Sequence, residues 1–399
     1  MYTLLLLLIY LAFISLGLPD SLLGSAWPVI HRSFDVPLSY AGFVTMIISG
    51  GTICSSLLSE RLTRRLGANL VTAFSVLLTA AALYGFSTAG AFWMLCAWAV
   101  PYGLGAGAND AALNNYVALH YSSKHMSWLH CFWGIGTIIS PYIMSYALTT
   151  SGWQGGYRTV SFLQLGITVI LFATLPIWKV NRIEERREEC GEIIGIRGAL
   201  RIRGVPQQLF GFFAYCALES TLIMWASSYL VGAKGITPER AAAFASLFCI
   251  GITAGRFLSG FVTERLGDYR LICLGAAILL FGCITLLLPI PIDTLALTGL
   301  VIMGFGCAPV YPSIVHATPS NFGEKNSQAI IGIQMASAYL GSTFMPPVFG
   351  LIANHISIRL MPLYALFFIP ASNEPSGCLQ TFGDCRKGQI PRCSAALQV

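Results

Sequence analysis

The chain has 399 residues, of which 55% are hydrophobic and only 10% charged, with a formal net charge of +6. Soluble domains carry roughly 25% charged residues, so a soluble globular enzyme and a disordered chain are both excluded. The basic residues sit in short loops between apolar blocks, which argues against nucleic acid as a partner. Many of those blocks are near the roughly 20 residues that cross hydrocarbon as a helix, and the expected class is an all-α polytopic membrane protein.

In chain order, Leu4 to Leu8 resembles the apolar core of a signal peptide, but no Lys or Arg precedes it and the run continues past Asp20 to Pro28. It is read as the first span, 3–28. Further spans are expected at 38–58, 69–88, 92–117, 127–148 and 157–178. A second set follows at 207–231, 240–262, 269–288, 295–316 and 327–352, with a last one starting near 360. The long polar segment between the sets holds Arg182, Glu184, Glu185, Arg186, Arg187, Glu188 and Glu189. The expected organisation is a six-helix bundle over 1–178, a cytoplasmic linker over 179–206, a second bundle over 207–369 and a polar tail over 370–399. Leu360 to Ile369 is too short to span, and the tail is rich in Pro, Gly and Cys. The twelfth helix is therefore expected to be truncated, either ahead of a divergent disordered tail or by a change of reading frame near Pro370. Eight of the 12 cysteines are scattered through apolar blocks, and no CxxC pair is present, which fits packing rather than a metal or disulfide framework.

Orientation follows from Lys and Arg in the loops. One side collects Arg61, Arg64, Arg65, Lys124, the linker cations, Arg265, Arg270 and Lys325, while the other has Arg32, Arg158, Lys234, Arg240 and Arg359. The richer side is read as cytoplasmic, which puts the N-terminus and the linker inside. The chain also repeats itself. Ser59-Glu60-Arg61-Leu62 recurs as Thr263-Glu264-Arg265-Leu266, and Gly103-Leu104-Gly105 as Gly304-Phe305-Gly306. Each shift carries a motif across six spans and back to the same membrane face, the pattern of a parallel repeat found in secondary transporters.

Three carboxylates lie inside spans: Asp20, Asp110 and Glu219. A charge at the centre of a span costs about 2.5–3.5 kcal/mol on insertion scales, so each is a candidate proton-coupling group; the alternative is interhelical pairing. Low dielectric favours the neutral form of a carboxyl, which suits a group that takes up a proton on one side and releases it on the other. The fourth span is the most polar, with Asn109, Asp110, Asn114 and Asn115. Asp110 and Asn114 share a helix face and suit a polyhydroxylated solute, or else serve as interhelical glue. His130 and Trp133 open the fifth span. Glu219 with Trp225 and Tyr229 is a carboxylate with aromatic faces, as sugar sites use, although Trp225 also fits an interfacial anchor. Tyr311 and Gln334 complete the candidate substrate contacts. Glu60, Arg61, Arg65, Glu264, Arg265 and Arg270 form either a charge latch between access states or plain positive-inside charge. No HExxH or GxSxG motif is present, so neither catalytic residues nor a cofactor or metal site are expected.

These residues resemble the major facilitator superfamily in the repeated loop clusters, where Glu60 and Glu264 stand for the usual Asp and Thr63 for the motif glycine. More narrowly they resemble the fucose:proton symporter family in Leu18-Pro19-Asp20, in Gly105 through Asn114, in His130-x-x-Trp133-Gly134-x-Gly136, in Glu219 with Trp225 and Tyr229, and in Gly304 through Pro312. The resemblance implies a fold of two six-helix bundles, alternating access, and transport of a sugar coupled to protons or, in some branches, Na⁺. It implies that Asp20 and Asp110 handle the proton and contact the sugar, and that the membrane is a bacterial inner membrane; a monomer is expected. The fucose carrier's polar residues on the fifth helix are replaced here by Trp128 and Cys131. The rival readings are a proton-coupled exporter of drugs or metabolites and a non-transporting remnant with a broken twelfth helix.

Overall fold

The protein is described by a computed structural model covering residues 2–37, 40–180, 194–236, 238–288 and 293–369. The linker charge run and the tail after Ile369 lie outside these residues. The described residues contain ten helices long and apolar enough to cross a membrane. The fourth span, Phe92–His120, is as long but carries the polar residues of the site, and the last of the ten divides into the eleventh span, Glu324–Ile352, and a short twelfth helix over 361–369. In lipid the backbone must satisfy its own hydrogen bonds, which long helices do.

The first span is two helices, Tyr2–Asp20 and Leu22–Ser33. Its break has a covalent cause. Pro19 has no N–H to give the carbonyl of Ser15, and Gln164 of the sixth span, Gly152–Ala173, takes that carbonyl instead at 2.6 Å. Thr79 of the third span, Ala68–Ser87, in turn donates to Gln164 at 2.9 Å. Asp20 therefore sits at a helix end held open by a distant glutamine. The tenth span is also interrupted, into Asp293–Cys307 and Val310–Phe322 on either side of Pro309. There the Cys307 carbonyl accepts from Tyr215, on the seventh span Val205–Lys234.

The second span is Ala41–Leu66, the fifth Ser123–Thr150, the eighth Pro238–Leu266 and the ninth Asp268–Leu287. Single glycines join the second to the third and the eighth to the ninth. Gly67 (φ 82°) and Gly267 (φ 77°) take backbone angles that side chains rarely adopt, and their N–H groups cap Thr63 and Thr263. In the first half the second span packs on the fourth, the third on the fourth and sixth, and the first on the fifth; in the second half the eighth packs on the tenth, the ninth on the tenth, and the seventh on the eleventh.

Close glycine contacts fix the register of the repeat. A Cβ on Gly51 would meet Gly103 Cα at 3.2 Å, and one on Gly251 would meet Gly304 Cα at 3.3 Å. Gly105 lies over the Ser75 carbonyl and Gly306 over that of Gly275. The offset is thus 200 through spans two and three (Gly51 to Gly251, Gly67 to Gly267, Ser75 to Gly275) and 201 in the fourth (Gly103 to Gly304). This corrects one expectation from the sequence. The Ser59–Leu62 and Thr263–Leu266 motifs, matched at 204, are one helical turn out of register: Glu60 corresponds to Gly260, and Glu264 to Arg64. The glycine of the first turn is Gly67, not position 63.

The halves meet where the second span packs on the eleventh and the fifth on the eighth. At the end marked by Gly67 and Gly267 they are stitched together. Ser327 donates to Asn115 at 2.6 Å, Gln328 to Ser59 at 3.4 Å, Ser122 to Glu264 at 3.0 Å, and the Trp128 indole to the Phe257 carbonyl at 3.2 Å.

Candidate functional site

The polar residues of the spans converge between the halves in two connected groups. Asp20, at the break of the first span, accepts from Tyr102 Oη and from Trp133 Nε1, each at 2.9 Å. The Arg256 guanidinium of the eighth span lies over the Trp133 ring, 5.6 Å from its centroid, within the range of a cation–π contact. Arg256 also donates to Glu219 of the seventh span at 3.1 Å. The two form an ion pair with side chains only 3% and 13% exposed. Asp20 itself is exposed. Its exposed edge lies at the level where the first half's indole meets the second half's cation.

The second group lies deeper. Tyr102 and Asp110 are eight residues apart on the fourth span, about 12 Å along its axis, so Asp110 lies below the tyrosine that holds Asp20. Asp110 accepts from Asn114 Nδ2 at 2.8 Å and, across the interface, from Tyr339 of the eleventh span at 2.9 Å. Asn114 Oδ1 lies 3.1 Å from His130 Nε2. An amide oxygen only accepts, so the proton of this bond is on the imidazole Nε2. The His130 ring packs edge-on against Phe13 and Tyr311, with centroids at 5.5 and 4.6 Å. Tyr311 Oη donates to the Met335 sulfur at 3.1 Å.

Asp20, Asp110, Asn114, His130, Trp133, Glu219 and Tyr311 are thus brought together. Four other candidates lie elsewhere. Asn109 is 1% exposed in the packed body of the first half, its Oδ1 buried without a partner. Trp225 donates to the Pro346 carbonyl at 2.9 Å and packs on Phe349, tying the seventh span to the eleventh rather than facing headgroups. Tyr229 donates to the Leu286 carbonyl. Gln334 is fully buried and accepts from Thr318 and Gln208 inside the second half.

In the loop clusters, Glu60 is buried, lies 3.5 Å from Arg64 and accepts from the Gly195 N–H. The glutamate of the second cluster, Glu264, receives Ser122 of the opposite half. The structure adds Tyr102, Tyr339 and Arg256 to the sequence candidates. Arg256 had a visible signal, because a cation inside a span needs an acid nearby; the tyrosines had none.

The family model of the Major Facilitator Superfamily matches residues 9–346, and the chain belongs to that superfamily of transporters. It is 21% identical over 383 residues to the "Bypass of stop codon protein 6" of Saccharomyces cerevisiae, covering 88% of this chain and 77% of the relative. It is 23% identical over 370 residues to the glucose/mannose transporter GlcP of Bacillus subtilis, covering 88% of each. The crystal structure of the E. coli fucose:proton symporter FucP superposes with a TM-score of 0.77 at 15% identity, covering 95% of this chain and 99% of that one. Two six-helix bundles in parallel repeat, with a short twelfth helix, are therefore the fold of this multi-pass membrane protein.

Proposed function

We propose that this transporter is a secondary carrier that moves a small polar solute, a sugar, by alternating access coupled to protons through Asp20 and Asp110. One observation carries the reading: two carboxylates at different depths, both between the halves, are held by neutral donors alone among their hydrogen bonds. A carboxylate held this way can accept a proton without stranding a counter-charge. Glu219 differs, because neutralising it leaves Arg256 as a buried uncompensated cation, a state costing several kcal/mol. In this reading Glu219 and Arg256 position the second half, while the protons ride on the first.

The solute sits in the space bordered by Asp20, Trp133, Asn114, His130 and Tyr311. A carboxylate, an amide and ring faces suit a sugar, and the glucose/mannose transporter among the relatives supports that class. The stitched end, where Lys and Arg are concentrated, is the cytoplasmic end, with the N-terminus on that side, and the membrane is the inner membrane of a bacterium. Domain limits at 1–178 and 207–369 follow the two bundles. In this arrangement the carrier is open to the outside, and Glu60, Glu264 and their neighbours hold the inner end shut.

Uptake of radiolabelled glucose, mannose and fucose by cells expressing the protein, with and without a protonophore, tests the reading. Accumulation that the protonophore abolishes is expected. Protonophore-insensitive equilibration of every sugar, with proton-driven efflux of other compounds, would favour an exporter.

A further inference from the structure

We infer that His316 is a proton-binding site, distinct from the two coupling acids, that fastens the closed end of the molecule and makes its opening depend on the pH on that side. His316 lies on the second part of the tenth span. Its Nδ1 is 2.7 Å from Asp268 Oδ2 and its Nε2 is 3.2 Å from the carbonyl of Tyr121. Asp268 belongs to the same half, on the first turn of the ninth span. Tyr121 belongs to the other half, at the extended residue that ends the fourth span, where its carbonyl has left the helical ladder.

Both partners of the ring are acceptors. A neutral imidazole has one N–H and can satisfy only one of them. Making both bonds requires a second proton, on the ring or on the Asp268 carboxyl that shares it; in either form the pair holds one titrating proton. When the halves part, Tyr121 leaves with the first half and only the Asp268 bond remains, for which one ring proton suffices. Proton binding and closure therefore favour each other. The side chains of His316 and Asp268 are 20% and 19% exposed, so water reaches them without passing the central site.

The groups around the ring do not supply that proton otherwise. Ser123 of the fifth span donates to Asp268, and beside it Ser122 donates to Glu264 of the eighth. On the same corner, Lys124 is turned over the Trp128 ring, 4.5 Å from its centroid, and His125 Nδ1 meets Tyr10 Oη at 2.9 Å. His120 of the fourth span lies against its own Tyr116 carbonyl. The eleventh span begins with Glu324 and Lys325, both exposed, and the seventh offers the uncharged Gln208, bonded to Thr318.

The consequence for transport rests on the proton-coupled reading above. A carrier that imports protons acidifies the compartment that protonates His316. The inner end then stays shut longer, and uptake is slowed by its own co-substrate.

Hydrogen exchange of the 119–126 backbone, in purified full-length protein in lipid nanodiscs, tests the site between about pH 6 and about pH 8. After correction for intrinsic exchange, protection of this corner is expected to fall by up to about tenfold per pH unit, the limit for one linked proton. In His316→Gln, which keeps a polar side chain but cannot titrate, the slope is expected to vanish. Ser123→Ala, which touches Asp268 but not the ring, is expected to lower protection at every pH and keep the slope. A flat wild-type profile, or the same slope in wild type and His316→Gln, overturns the proposal. The measurement uses neither solute nor gradient, so its failure leaves the coupling reading standing, and a lack of sugar uptake leaves this result interpretable.

Discussion

The two halves share one plan and differ in how each treats its buried acids. In the first half Asp20 and Asp110 receive hydrogen bonds from two tyrosines, an indole and an amide. In the second half Glu219 is locked to Arg256. The first arrangement is tolerant of protonation and the second is not, because an ion pair taken out of water is stable only as a pair. Related frames can thus hold acids by neutral donors in one half and by an ion pair in the other.

The largest expected effect is functional. Asp110→Asn keeps the shape of the Asn114 and Tyr339 contacts but cannot cycle a proton, so accumulation against a gradient is lost while solute exchange across the membrane persists. Loss of accumulation and exchange together would instead mean that Asp110 only binds solute.

Next comes the ion pair. Arg256→Gln strands Glu219 and is expected to destabilise the purified protein by about 3–5 kcal/mol. The double variant with Glu219→Gln recovers part of that loss. Thermal unfolding of both singles and the double gives the coupling energy, and strictly additive effects would break the contrast between the halves.

The shared plan is tested by glycines. A Cβ on Gly105 meets the Ser75 carbonyl at 2.7 Å, and one on Gly306 meets the Leu279 N at 2.7 Å. Gly105→Ala and Gly306→Ala should each cost about 1–3 kcal/mol, and widely unequal costs would argue against a common frame. The smallest effect is expected from Trp225→Phe, which loses one bond to the Pro346 carbonyl, about 0.6 kcal/mol, and leaves transport intact.

Much of this was legible in the sequence. Apolar blocks marked the spans, and glycine pairs marked the repeat, because helices that pack this closely exclude side chains at those positions. The three intramembrane acids stood out because charge is costly in lipid. Partners were harder to read. Arg256 was visible as a charge in a span, but its pairing with Glu219 depends on how two helices rotate against each other. Pro19 stood inside a block read as one continuous span, and Gln164, which takes the freed Ser15 carbonyl, lies on another span. Trp225 and Gln334 looked like ligands for a sugar because aromatic and amide groups serve equally well as helix–helix contacts. The Glu-Arg-Leu repeat misled because a four-residue slip keeps a motif on the same helix face, one turn away.

The central claim is that the acids of the first half carry protons along with solute. It is tested most directly by following the pH of a lightly buffered, de-energised cell suspension when a transported sugar is added. Transient alkalinisation of the medium is predicted for the wild type and its absence for Asp110→Asn, with sugar exchange still measurable in both. Alkalinisation of equal size in the wild type, Asp20→Asn and Asp110→Asn would contradict the account.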